Sequence, residues 1–178
     1  MERGISVAGY LTRHNTRAMP YRHQPDSSTT VFHIMNRGND HQTLFRSNAD
    51  FLTFRNLTEK YKKKYEVAIY YYVFMPNHIH FMLEVQIFEN ISAFMRDLTF
   101  IYARSYHRQY EGDGHVWTGR FKCKPIEKDD YLVKCGEYIE ANPVRAGIVK
   151  KPEEYPWSSA RAHICQLPDP IVDPCPYR

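Results

Sequence analysis

Hydrophobic positions along this chain follow two periods, and the changes between them mark its elements. Thr29 to Asn36 is rich in Val, Phe, Ile and Thr and predicts a first strand, which Arg37-Gly38-Asn39-Asp40 breaks as a turn. Ser47 to Tyr65 predicts a helix: Phe51, Phe54, Leu57 and Tyr61 recur at helical spacing. Ser47 followed by Asp50 three residues on resembles a capping pair. Val67 to Met75 is a continuous apolar run rich in β-branched and aromatic residues, the pattern of a central strand. Pro76-Asn77 interrupts it and His78 to Val85 resumes, so the two runs predict a hairpin. Asn90 to Tyr110 predicts a second helix with Ile91, Phe94, Met95, Leu98, Ile101 and Tyr102 on its core face. Gly119 to Ile126 alternates, with Arg120, Lys122 and Lys124 on one side and Phe121 and Cys123 on the other, which predicts a strand with a basic face. Asp129 to Ala141 predicts a third helix, capped by Asp129 or Asp130 and stopped at Asn142-Pro143. Strand, helix, strand, strand, helix, strand, helix is satisfied most simply by one antiparallel sheet with helices packed on it, a ferredoxin-like α+β sandwich.

Composition narrows the class. A length of 178 residues favours one domain, and 43% hydrophobic with 25% charged residues is ordinary for a soluble globular protein. The longest nearly pure apolar run has nine residues, against about 20 for a membrane span; a membrane partner is not expected. The first twenty residues lack the apolar core of a secretory signal. Cys123, Cys135, Cys165 and Cys175 form no C-x-x-C pair, which argues against a zinc ribbon or disulfide scaffold and for a reduced, cytoplasmic chain. Net charge is +4 with pI near 8.8 and aromatics are 15%, a balance that permits nucleic acid. Residues 1–28 lack periodicity and carry Arg3, Arg13, Arg17 and Arg22. They read as a basic arm, either mobile or in contact with a polyanion. Residues 166–178 form a Pro-rich tail expected to be irregular.

Three clusters carry possible chemistry, each with a plainer reading beside it. His78-Ile79-His80 puts two imidazoles on one face of a strand, either half of a metal site or a solvated polar pair. Tyr138 and Asn142 stand four apart on one helical face, either a nucleophilic phenol beside an oxygen ligand or a core aromatic beside a helix cap. Arg120, Lys122 and Lys124 form a row with a repeat of about 6.6 Å, suited to phosphates or to protecting a sheet edge.

Taken together the segments resemble a known family. Met75-Pro76-Asn77-His78-Ile79-His80-Phe81 resembles the His-hydrophobic-His motif of single-tyrosine HUH transposases. Asn36-Arg37-Gly38-Asn39, Gly114-His115-Val116-Trp117, Gly119-Arg120-Phe121-Lys122, the segment Tyr138-Ile139-Glu140-Ala141-Asn142-Pro143-Val144-Arg145-Ala146-Gly147 and Tyr155-Pro156-Trp157-Ser158-Ser159 extend the match, in the order of the REP-associated tyrosine transposase branch. The resemblance implies a catalytic domain over 29–165. It implies a divalent metal, Mg²⁺ or Mn²⁺, on His78, His80 and Asn142, and Tyr138 as the nucleophile. DNA contacts fall to Arg37, Arg120, Lys122, Lys124 and Arg145. The implied activity is cleavage and strand transfer of single-stranded, hairpin-bearing DNA through a 5′-phosphotyrosine, by a monomer or a homodimer. A noncatalytic nucleic-acid-binding module derived from a transposase, and a metal-dependent nuclease using water, are the competing readings.

Overall fold

The computed structural model describes residues 30–126 and 130–177, the side chains of Asp130 and Tyr131 excepted. The N-terminal arm, Asp129 and the side chain of Tyr131 lie outside the described residues.

Four strands form one antiparallel sheet: β1 (Val31–Arg37), β2 (Ala68–Met75), β3 (His78–Glu84) and β4 (Lys122–Pro125). Their order is β2-β3-β1-β4. With α1 (Asn48–Lys64) between β1 and β2 and α2 (Glu89–Tyr110) between β3 and β4, this is the ferredoxin-like arrangement. The Ser47 cap is formed: Ser47 Oγ accepts from the Asp50 backbone N–H while the Asp50 carboxylate accepts from the Ser47 N–H at 2.8 Å. Asp50 is buried and also accepts from Tyr110 Oη at 2.6 Å, which ties the start of α1 to the end of α2.

Alternation along the strands divides the core in two. On one face Phe32, Ile34, Tyr72, Phe74, Ile79, Phe81 and Leu83 pack under α1 and α2, with Phe54, Phe94, Leu98, Tyr102 and Trp117 filling the layer. On the other face Val31, Tyr71, Val73, Met75 and Met82 meet Leu132, Cys135 and Ile139 of α3 (Asp130–Glu140). The 3-and-4 spacing of those three side chains lays one stripe of α3 on the sheet. Gly136 sits on that stripe, where a Cβ would lie 2.5 Å from the Tyr71 ring, so only glycine permits so close an approach.

The basic strand is shorter than its alternation suggests. The continuous ladder with β1 covers Lys122–Pro125; Arg120 precedes it, beside Gly119 at φ +134, and Thr118 N–H meets β1 again at Arg37 O, 3.0 Å away. A φ of that kind turns the chain away from the extended path that pairing requires. Beyond α3, Asn142 starts a single turn, α4 (Asn142–Arg145), with Pro143 in its first turn.

The segment after α4 covers the outer edge of β2. Phe74 N–H donates to Trp157 O at 2.8 Å, and Ser159 N–H to Tyr72 O at 3.0 Å. Helix α5 (Ala160–Ile164) follows. The Pro-rich tail is irregular, yet Ile171 is fully buried, and Asp173 accepts from Lys62 Nζ at 2.6 Å and Ile69 N–H at 2.7 Å. These contacts satisfy an edge that would otherwise present unpaired backbone groups.

Candidate functional site

The β1–β3 register places the motif residues. Arg37 pairs with His78, Met35 with His80 and His33 with Met82. Paired residues share a face, so His78, His80, His33 and Arg37 all lie on the side of the sheet that α3 covers. Ile79, between the histidines, is fully buried in the opposite core. The histidine rings are 5.2 Å apart at their centroids.

Both histidines are held through Nδ1. His78 Nδ1 is 2.7 Å from Asn77 Oδ1, and His80 Nδ1 is 2.9 Å from His33 Nε2. The His33 and His80 rings stack at 5.1 Å. Burial pushes all three imidazoles below the ordinary histidine range. His80 falls to about 3, with His33 and His78 adding repulsion to its charged form, and Lys124 acts on His33 in the same sense. Neutral imidazoles are the form that binds a metal.

Three of the sequence motifs meet beside His78. The Gly38 N–H donates to Asn77 O at 2.8 Å and the Asn39 N–H to Val116 O at 3.0 Å. Thr118 Oγ1 donates to Gly38 O at 2.7 Å. A Cβ on Gly38 would meet Gln42 O at 2.3 Å, which explains a glycine at this junction.

The second half of the site is carried by α3 and α4. Tyr138 stands outside the buried stripe and is 47% exposed, so it is not a core aromatic. Arg145 stacks over its ring at 4.3 Å. Asn142 Nδ2 donates to the carbonyls of Tyr138 and Ile139, both at 3.0 Å. With both amide hydrogens used on its own helix, Oδ1 is the atom this carboxamide can offer to a cation. No hydrogen bond or ring contact among the described residues joins Tyr138 or Asn142 to His78 or His80, although the two halves occupy one side of the sheet. Nor do three His, Cys, Asp or Glu side chains among the described residues gather into a metal cluster. A cation at the two histidines would therefore take its other ligands from outside the His, Cys, Asp and Glu side chains described.

Two residues after Tyr138, Glu140 is 5% exposed. It is clamped by Ser159 Oγ at 2.5 Å and His163 Nδ1 at 2.6 Å, both from beyond α4. The clamp fixes the end of α3 to the β2 edge. Lys122 and Lys124, both exposed, pair with Met35 and His33, which puts them on the histidine face. Two strand spacings, about 10 Å, separate them from β3. Arg120 is exposed but outside that row.

Sequence reasoning passed over His33, Asn77, Gly136 and Glu140. His33 carries one legible signal, the two-residue spacing His33, Met35, Arg37 in a strand. Asn77 acts on its own neighbour, His78, whereas Gly136 and Glu140 depend on contacts between segments distant in sequence.

Comparisons place this arrangement among known proteins. A chain described as a REP-associated tyrosine transposase bound to a REP hairpin superposes with a TM-score of 0.67 at 22% identity, covering 87% of this chain and 91% of its own. A candidate transposase from Deinococcus radiodurans gives a TM-score of 0.45 at 16% identity over 66% of this chain and 94% of its own. No match was found among curated protein sequences. No helix among the described residues is long and apolar enough to cross a membrane. The family model for IS200-like transposases matches residues 26–142, a span that takes in the turn at Gly38, both histidines, Tyr138 and Asn142, and the chain belongs to that family of DNA transposases.

Proposed function

We propose that this transposase cuts and rejoins single-stranded DNA bearing a hairpin, with Tyr138 as the nucleophile. The observation that supports this most is the placement of an exposed tyrosine on a helix seated over the same sheet face that carries His78 and His80. The Tyr138 oxygen attacks the scissile phosphorus. A phosphorus–oxygen bond forms to the tyrosine, the bond to the 3′ oxygen breaks, and the proton lost by the phenol is balanced by one gained at the departing 3′ oxygen, which leaves as a hydroxyl. The product is a 5′-phosphotyrosine. Because one phosphodiester replaces another, the reverse attack by a 3′-hydroxyl rejoins strands without a nucleotide cofactor.

His78, His80 and Asn142 are the residues to hold a divalent cation, with two neutral nitrogen donors and one amide oxygen. Mg²⁺ or Mn²⁺ bound there supplies charge neutralisation at the scissile phosphate. Arg145 supplies fixed positive charge beside the tyrosine, where the phosphate must come to react. Lys122 and Lys124, with Arg37 opposite His78 and Arg120 at the approach to β4, offer phosphate contacts along the strand's path. The structural neighbour bound to a REP hairpin supports a hairpin as the DNA partner. Since α3 packs on its own chain's sheet, one chain carries the whole residue set.

The test is a denaturant-resistant adduct between the full chain and a labelled hairpin oligonucleotide with a single-stranded flank. Wild type should form it in Mn²⁺, and Tyr138→Phe should bind the DNA without forming it. Cleavage with no adduct would establish water as the nucleophile, and binding with no cleavage would establish a noncatalytic module; either result overturns the proposal.

A further inference from the structure

The hydrogen bonds behind the two histidines carry a further consequence, which rests on their reading as metal ligands. A neutral imidazole has one N–H and one lone pair on its two nitrogens. A single contact of 2.9 Å joins His33 Nε2 to His80 Nδ1, so one of these nitrogens donates and the other accepts. If His33 donated, the His80 proton would sit on Nε2, and neither His80 nitrogen would keep a free lone pair. If His80 donates, its Nε2 lone pair is open. At His78 the partner is the amide oxygen of Asn77, 2.7 Å from Nδ1. A carboxamide oxygen can only accept, which makes His78 Nδ1 the donor. Both histidines are then presented alike, with Nδ1–H tied back and Nε2 free.

We propose that His33 is a positioning residue. It accepts the Nδ1–H of His80 and holds that imidazole in the one tautomer able to bind a divalent cation, as Asn77 does for His78. Metal-bound histidines usually hand their second N–H to a carboxylate, carbonyl or water; here a third histidine takes that place. The strand register accounts for it. His33 pairs directly with Met82 and lies diagonal to His80, a separation that long or aromatic side chains bridge. The stacked rings limit rotation of His80 as well.

The test uses the full-length protein and two readouts besides activity. In metal-free wild type labelled with ¹⁵N-histidine, long-range ¹H–¹⁵N spectra should show His80 protonated on Nδ1 and unprotonated on Nε2. Mn²⁺ titration followed by electron paramagnetic resonance should then show affinity reduced about 10–100-fold in His33→Phe, which keeps a ring but loses the acceptor. His33→Gln, whose Oε1 accepts the same proton, should recover most of that affinity. A wild-type His80 carrying its proton on Nε2 overturns the role of His33 without needing any variant to fold. So does a His33→Phe protein that binds Mn²⁺ as wild type does. Wild type that binds no Mn²⁺, or a His80→Ala variant that binds it undiminished, overturns the metal reading itself.

Discussion

Gly136→Ala tests whether the close seating of α3 on the sheet sets the reaction geometry. An added Cβ would lie 2.5, 2.5 and 2.6 Å from Cε2, Cζ and Cε1 of Tyr71. Ordinary carbon–carbon contact is about 3.5–4.0 Å, so helix and ring must separate by about 1 Å. Tyr71 cannot swing aside: it is 1% exposed and its ring centroid lies 4.5 Å from that of His163. The helix therefore moves. Two effects oppose each other in stability. Alanine favours a helix over glycine by about 1 kcal/mol, and overpacking costs about 1–3 kcal/mol, so the variant should lose about 0–2 kcal/mol. The rate should fall much further. Tyr138 is two residues on, about 3 Å along the helix axis, and is carried with the displaced backbone. A misplacement of about 1 Å costs roughly 100-fold in rate, equivalent to about 2.7 kcal/mol of barrier. Urea unfolding measures the first effect and single-turnover adduct formation on a hairpin oligonucleotide the second. Tyr71→Leu added to Gly136→Ala opens the clash and should return much of the lost rate. A Gly136→Ala protein that is more stable than wild type and reacts at its rate would refute the claim that this approach positions Tyr138.

Other expectations follow from the same site. Removing Arg120, Lys122 and Lys124 together by Ala substitution should weaken DNA binding and shallow the slope of log affinity against log salt by about 0.7 per lost contact on single strands; an unchanged slope would mean that this edge is merely solvated. Cleavage should stop in excess chelator and return with Mn²⁺, while hairpin binding persists; full cleavage after verified metal removal would exclude the cation. Stability should fall in acid, because the native state keeps His80 neutral down to about pH 3 whereas an unfolded histidine takes up its proton near 6.5. Below pH 6.5 the unfolded chain binds more protons, so the contribution is complete above that value and is lost on descending towards 3. From His80 alone the loss at pH 5 is about 2 kcal/mol, and the buried His33 and His78 act in the same direction. Urea titrations at pH 7.5 and 5.0 measure it, and His80→Gln should flatten the difference; equal stability of wild type at both values would contradict the buried, neutral assignment.

Local chemistry by itself determined the element order, the Ser47–Asp50 cap, the hairpin through Pro76-Asn77 and the pairing of His78 with His80 on one face, because each depends on residues a few positions apart. Helical spacing likewise put Tyr138 and Asn142 together, and the bonds from Asn142 Nδ2 to Tyr138 O and Ile139 O lie within one turn. Only tertiary structure decided the rest. His33 reaches His80 through a strand register 47 residues apart in sequence, and no pattern in either segment specifies that partner. Alternation could not limit β4 to four residues, since the ladder with β1 is interrupted between Lys122 and Thr118, where Gly119 leaves the extended path. Spacing made Tyr138 look as much like a core aromatic as a nucleophile; the stripe of Leu132, Cys135 and Ile139 took the buried face and left Tyr138 at its margin. Nothing in its local sequence marks Glu140 as buried; it is buried because Ser159 and His163 return along the β2 edge to satisfy it. A buried carboxylate needs such partners, and partners that arrive from a distant segment are visible only once the chain has closed on itself.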